Sequence, residues 1–322
     1  KSLQPYTTNN RYLYHSMPNR KPYRIKTISE FHRFRGLPVS EHSLISVVDY
    51  ASIKHSNENN SMSWVLDFYA ISLKKSYHTK FKYGHQQCDF DEGSLFFMAP
   101  NQVFRVEVEK NHKQVNSGWL LLIHPEFIWG TTLAKTIKKY DFFDYAINEA
   151  LFLSPKEEFT INNIVRNIQQ EYQTSIDKFS KQIISTHIEN LLSYSERFYN
   201  RQFITREKTN HKILERLEKL LTNYFNSDDL IIKGLPSVLY VSEELNVSQS
   251  YLGSLLRVLT GQNTQQHIHN KLIEKAKERL SITDLSISEV AYELGFEHSQ
   301  SFSKLFKAKT NFSPSAYRKF LN

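Results

Sequence analysis

The stretch SEVAYELGFEHSQSFSKLFKAKTNFSPSAYR, Ser288 to Arg318, is rich in cations toward its end. From Ser299 to Asn322 the chain carries Lys304, Lys307, Lys309, Arg318 and Lys319 and neither Asp nor Glu. Cations held on one side of a rigid element bind phosphate or other acidic groups. The whole chain leans the same way, with a formal net charge of +8 over 322 residues. A second basic run, Arg11, Arg20, Lys21, Arg24, Lys26, Arg33 and Arg35, is opposed only by Glu30 as far as residue 40 and reads as a solvated face. Histidine is the other candidate for chemistry. His78, His85 and His112 offer imidazoles to a His₂-carboxylate metal site, but they are scattered, His112 within the charged segment EKNHKQ, and read as surface residues. No metal or cofactor is therefore expected. No Ser-His-Asp order, P-loop or glycine-rich fingerprint occurs, and the chain has only 9 glycines. These observations predict a non-enzymatic protein. Cys88 is the only cysteine, which excludes an intrachain disulfide and a Cys-based zinc site.

The cations need elements to position them. Ser286-Ile287-Ser288-Glu289 is a capping box, and Ile287, Val290, Ala291 and Leu294 follow at i, i+3, i+4 and i+7, which buries one helix face. Gly295 stands where that helix must stop in a left-handed conformation, and Phe296 seals its end. A second helix, from about His298 to Thr310, buries Phe302, Leu305 and Phe306 and leaves Ser299, Gln300, Ser303, Lys304 and Lys307 outside. This is a helix-turn-helix pattern. It is repeated upstream: LGSLLRVLTG at Leu252–Gly261 superposes on FSKLFKAKTN at Phe302–Asn311, matching Leu252 with Phe302, Leu256 with Phe306, Arg257 with Lys307 and Thr260 with Thr310. Val238, Val241 and Leu245 form the preceding stripe, Asn246 takes the place of the glycine, and Ser248 caps the next helix. Ile268, Leu272, Ala276 and Leu280 mark a helix joining the two units.

Earlier in the chain the period differs. Leu44–Tyr50, Trp64–Ser72, Ser94–Met98, Val103–Val108 and Trp119–Ile123 read as strands separated by turn signals at Asn57–Asn60, Asp91-Glu92-Gly93 and Pro100-Asn101, predicting a small antiparallel sandwich or barrel. From Pro125 onward helices take over. Ser154-Pro155-Lys156-Glu157 starts one running to about Tyr172, and a second begins near Ile176 with Phe179, Ile183, Ile184, Ile188, Leu191 and Leu192 along a stripe. That pair is a candidate dimer contact or packs on its own sheet. RFYNRQFITREKTN reads as a polar interdomain linker. No apolar run approaches the roughly 18 residues of a membrane span, and no signal peptide opens the chain, so a cytoplasmic protein is expected.

Residues from about 237 to 319 resemble the DNA-binding domain of the AraC/XylS family of bacterial transcription regulators. LNVSQSYLGSLLRVLTG, EKAKERL, LSISEVAYELGFEHSQSFSKLFK and FSPSAYR carry the resemblance. More loosely, DFDEGSLFFMAPNQVFRV resembles the cupin-like sensory domain of many members. The resemblance implies an α+β multidomain chain: an N-terminal arm over 1–40, an antiparallel cupin-like β-barrel over 41–150, a helical dimerisation region over 151–202, a linker and connecting helix over 203–235, and an all-α tandem helix-turn-helix domain over 236–322. It implies recognition helices whose base-facing residues are Gln249, Ser250, Tyr251, Gly253 and Ser254 in the first unit and Ser299, Gln300, Ser301 and Lys304 in the second. Gln pairs bidentately with adenine and Lys with guanine. Arg257, Lys307 and Arg318 are assigned to phosphates, which fix register without reading sequence. Promoter DNA, a small-molecule effector, a second copy of the chain and RNA polymerase are the implied partners.

The chain departs from the pattern in places. Gly253 and Ser254 stand where family members often carry polar and basic side chains, and Asn311 replaces a usual glycine. Cupin enzymes share a His after a PxxxxH-like turn, whereas here the turn reads Pro100-Asn101-Gln102-Val103-Phe104-Arg105, and phenylalanine binds no metal. An effector pocket would be lined by Trp64, Phe68, Tyr69, Phe96, Phe97, Phe104 and Trp119, whose other role is core packing. The segment RYLYHSMPNRKPYRI would be an arm over that pocket or a tail. Two rival readings remain, a helical protein-interaction adaptor and a metal-dependent cupin enzyme fused to a helical domain.

Overall fold

The structure, a computed structural model, describes residues 22–53, 63–76, 81–83, 86–88, 93–105, 116–146, 149–174 and 177–321. The elements run β1 (Tyr23–Ile25), α1 (Ile28–Phe34), β2 (Ile45–Asp49), β3 (Ser63–Leu66), β4 (Tyr69–Ser76), β5 (Phe81–Tyr83), β6 (Gln86–Cys88), β7 (Ser94–Met98), β8 (Val103–Arg105), β9 (Asn116–Ile123), α2 (Pro125–Ile128), α3 (Leu133–Thr136), β10 (Leu151–Phe152), α4 (Pro155–Gln173), α5 (Ser180–Thr205) and α6 (Glu207–Asn226). They continue as α7 (Asp229–Lys233), α8 (Val238–Leu245), α9 (Gln249–Thr260), α10 (Thr264–Ile282), α11 (Ile287–Glu293), α12 (Ser299–Thr310) and α13 (Pro314–Leu321). Among the described residues no helix is long and apolar enough to cross a membrane.

Alternation with a period of two gives the central sheet two apolar faces. Its order is β10-β7-β4-β9-β2, all pairs antiparallel. Ile71, Leu73, Leu95, Phe97, Leu121 and Ile123 pack with α4 and α5 in one core. Ala70, Leu120 and Leu122 pack on the other face with Trp64, Phe68, Ile25, Ile28 and Phe31. A smaller sheet, β1-β3-β8, belongs to that second core. Gly118 has φ +121, and a Cβ there would lie 2.0 Å from the Leu73 carbonyl oxygen, so only glycine lets β9 approach β4 at this point.

Among the described residues the sheet stays open where the resemblance implied a barrel. Its two edges are closed by helix side chains instead of by each other. The Val47 N–H of β2 donates to the Tyr172 hydroxyl of α4 at 2.9 Å. At the opposite edge the buried Gln202 amide of α5 accepts from the Phe152 N–H at 2.8 Å and donates to the Ala150 carbonyl at 3.1 Å. Three further expectations change. The run Trp64–Ser72 is two strands broken at Asp67-Phe68, with Phe68 buried. Within the segment read as an N-terminal arm, β1 pairs in parallel with β3 and α1 buries Ile28 and Phe31, so this part is built into the domain; residues 1–21 lie outside the described residues. The presumed linker RFYNRQFITREKTN is helical on both sides of a single break at Arg206 (φ −85, ψ 42), because Phe198, Tyr199 and Phe203 bury an apolar stripe through it.

Candidate nucleic-acid interface

The second unit is built by its local signals. The Ser286 N–H donates to Glu289 Oε2 at 2.7 Å and the Glu289 N–H to Ser286 Oγ at 3.2 Å, closing the capping box on α11. These bonds hold the Glu289 carboxyl below its ordinary range. Gly295 turns the chain with φ +77, and the Phe296 N–H reaches back to the Ala291 carbonyl at 3.0 Å. Rings of Phe296, Phe302, Phe306 and Tyr317 then follow one another at centroid spacings of 5.5, 5.7 and 5.5 Å, fixing α12 against α11 and α13. On the outer side of α12, Gln300, Ser301, Lys304, Lys307 and Lys309 are exposed and Ser299 is half-buried. Among the described residues none of the three lysines is paired with a carboxylate.

The first unit repeats this construction. Asn246 (φ 57) replaces Gly295, Ser248 caps α9 by accepting from the Tyr251 N–H at 3.1 Å, and Leu252 and Leu256 are fully buried in the places of Phe302 and Phe306. Thr260 Oγ1 donates to the Leu256 carbonyl at 2.8 Å as Thr310 Oγ1 does to that of Phe306, so the sequence repeat is a repeat of contacts. α10 joins the units, capped by Asn263 and Gln266 and buried along Ile268, Leu272, Ala276 and Leu280. α11 also meets the segment leading into the first unit: a Cβ at Gly295 would stand 2.6 Å from the Leu230 carbonyl oxygen of α7 and 2.9 Å from Gly234 Cα.

The residues expected to face bases do not share one environment. Gln249 is exposed and Ser250 half-buried, but Tyr251 and Gly253 are buried, and Ser254 Oγ donates to Asp141 Oδ2 at 2.9 Å. Arg257 Nη1 bonds the same oxygen at 3.1 Å. No steric need explains Gly253, where a Cβ would meet only Arg257 Nη2 at 3.9 Å. Arg318 corrects the assignment to phosphates: Nη1 donates to the Leu285 carbonyl at 2.6 Å and Nε to that of Leu280 at 3.3 Å, so the guanidinium pins α13 to the end of α10. No local pattern marks this role, because the two acceptors lie 38 and 33 residues away in the chain.

Sequence reasoning also missed Glu149. It is 5% exposed, accepts from the Ser248 N–H and Ser248 Oγ, both at 2.6 Å, and from the Ala146 N–H at 2.6 Å. Burial raises its carboxyl above the ordinary range, and the hydrogen bonds from Ser248 and Ala146 oppose the shift. Around it Tyr145, Tyr199 and Tyr251 are all raised, chiefly by burial, with Tyr251 pushed up to about 12.

The aromatic residues proposed to line a pocket are divided by the sheet. Trp64 and Phe68 lie in one core and Tyr69 and Phe97 in the other, where Trp119 packs and donates from Nε1 to Asn162 Oδ1 at 2.8 Å. Phe96 lies under the Lys74 ammonium at 5.7 Å, and Phe104 of β8 pairs with Trp64 through the backbone. His78, His85 and His112 lie outside the described residues.

Residues 241–319 match the sequence profile of a helix-turn-helix domain. This part of the chain is a helix-turn-helix domain of the AraC/XylS type. The raffinose operon transcriptional regulatory protein RafR of Pediococcus pentosaceus is 39% identical over 75 residues, 23% of this chain and 27% of RafR. Histidine kinase P4 of Formosa agariphila is 28% identical over 136 residues, 42% of this chain and 10% of the kinase. Among solved structures, the C-terminal domain of AraT, a response regulator from Geobacillus stearothermophilus, is 30% identical, with 34% of this chain and 84% of that one covered at a TM-score of 0.30. The chain thus spans little more than a quarter of the length of RafR and a tenth of that of P4. The AraC/XylS-type domain accounts for the repeat of contacts between α8–α9 and α11–α12.

Proposed function

We propose that the protein is a sequence-specific transcription regulator that binds promoter DNA through α9 and α12, set in successive major-groove segments about one DNA turn, roughly 34 Å, apart. One observation carries this reading: the outer side of α12 presents Gln300 and Lys304 for base edges beside Lys307 for phosphate, with no acidic residue in the helix. Gln249 and Ser250 of α9 are the matching contacts in the first unit, with Tyr251, Gly253, Ser254 and Arg257 joining them once α9 is free. The N-terminal domain is the regulatory part, sensing an effector and pairing with a second copy. Support for the pairing is the exposed stripe formed by Phe179, just before α5, with Ile183 and Tyr194 on it, and RNA polymerase is the downstream partner of such a regulator.

Binding of the full chain to fragments of its own promoter neighbourhood, across a salt series and with scrambled duplex as competitor, tests the reading. Selective binding whose affinity falls steeply with salt is expected, because phosphate contacts release counterions. Salt-insensitive or absent binding would instead favour a protein-interaction module.

A further inference from the structure

The two recognition helices are built alike but differ in what covers them. Lys307 of α12 is open to solvent, whereas its counterpart Arg257 on α9 is bonded to Asp141 of the 3-10 turn Asp141–Asp144. We propose that the N-terminal domain is an internal competitor of DNA for the first recognition helix, with Asp141 and Glu149 standing in for backbone phosphates. This rests on the DNA-binding reading above.

The argument is chemical as well as steric. Asp141 Oδ2 accepts from a hydroxyl and a guanidinium, the donors that a phosphate oxygen takes from a recognition helix. Glu149 meets the start of α9, accepting from the Ser248 N–H and hydroxyl as a phosphate oxygen would, bonds that oppose but do not overcome the upward shift that burial gives its carboxyl. Between these two carboxylates the Tyr251 ring stands edge-on to Tyr145 at 5.3 Å and to Phe203 at 5.2 Å, and Leu255 joins the N-terminal core. Of the residues assigned to the duplex in the first unit, Tyr251, Ser254 and Arg257 are engaged by the N-terminal domain. Both sets of contacts cannot be made at once. DNA engaged by both units must therefore pull α9 off the N-terminal domain, and the observed affinity is reduced by the fraction of molecules in which α9 is free. In the docked state α12 is available in full and α9 only at its start, at Gln249 and Ser250, so binding is shallow and rests mainly on one groove segment.

The test uses the full chain, a random-sequence duplex long enough for two successive major-groove segments, and the variants Asp141→Ala and Asp141→Ala/Glu149→Ala. Asp141 is on the surface, so the single variant keeps the fold if the double variant does not. The expected result is an affinity gain of about tenfold, a salt slope of the binding constant steeper by about 1 as Arg257 reaches a phosphate, and faster hydrogen exchange in α9. A merely structural role for Asp141 would not steepen the salt slope. Equal affinity and slope in wild type and variants, with the duplex bound, overturns the competitor and leaves the DNA reading standing. No binding by any of the three, with α9 exchange faster in the variants, overturns the DNA reading and the competitor with it.

Discussion

Gln300 and Lys307 sit on the same helix and are expected to do different work. Gln300 offers paired donor and acceptor atoms to one base, so Gln300→Ala should cost about 1–3 kcal/mol on the preferred site and relax preference at a single position. Lys307→Ala should weaken specific and scrambled duplex alike and lower the salt slope by about 1. Titrations of each variant against both duplexes separate the roles; equal losses on both for both variants would refute the division. Glu149 gives a prediction in pH. Its carboxyl is raised by burial, so its contribution to the docked arrangement is present below the ordinary carboxylate value and is lost as pH rises through the raised one. Tyr145, Tyr199 and Tyr251 around it are raised as well and do not titrate in that window. The melting temperature of the full chain should therefore fall across the window just above the carboxylate range, and Glu149→Gln should flatten that part of the profile. These roles differ in how far the sequence revealed them. Lys307 was legible because helical periodicity put it opposite Phe302 and Phe306, whereas Arg318 is bound to Leu285, 33 residues away, and Glu149 to Ser248, 99 residues away.

At the scale of the element, what local signals specify was legible and what distant contacts decide was not. The capping boxes at Ser154 and Ser286, the left-handed stops at Asn246 and Gly295 and the Leu256/Phe306 repeat all occur as read. The strand pattern left sandwich and barrel as alternatives, and that the sheet stays open among the described residues was not decided by it, because the edges are finished by Tyr172 and Gln202 from helices whose docking no strand pattern encodes. The helical passage through residues 196–205 was missed because Arg201, Gln202 and Arg206 made the segment look like linker, while Arg201 is paired with Glu157 at 2.7 Å and Gln202 is buried. Two glycines test the account of the helix-turn-helix pair. Gly295→Ala combines a left-handed φ with a backbone collision and should destabilise the chain by at least about 2 kcal/mol. Gly253→Ala adds a methyl where there is room in the interior of α9 and should stabilise it by about 1 kcal/mol. Urea unfolding of the two variants checks both signs, and a neutral Gly295→Ala would remove the close approach of Gly295 to α7 and Gly234 as a structural requirement.

At the scale of the whole molecule, the described residues form three apolar cores. One lies between the sheet and α4–α5, one between the two sheets, and one inside the tandem units with α6. The proposed pairing of two copies through Phe179, Ile183 and Tyr194 predicts that Ile183→Glu sediments as a monomer under conditions where the parent chain is dimeric, with its unfolding midpoint little changed. The break at Arg206 has a consequence of a different kind. Since one residue separates α5 from α6, α9 meets its covering face at an effective concentration fixed by geometry and independent of how many copies of the protein are present. Self-pairing, by contrast, follows mass action. Changing the amount of protein in a cell would thus alter how many molecules are paired while leaving unchanged the fraction whose first recognition helix is covered, so the two controls answer to separate variables.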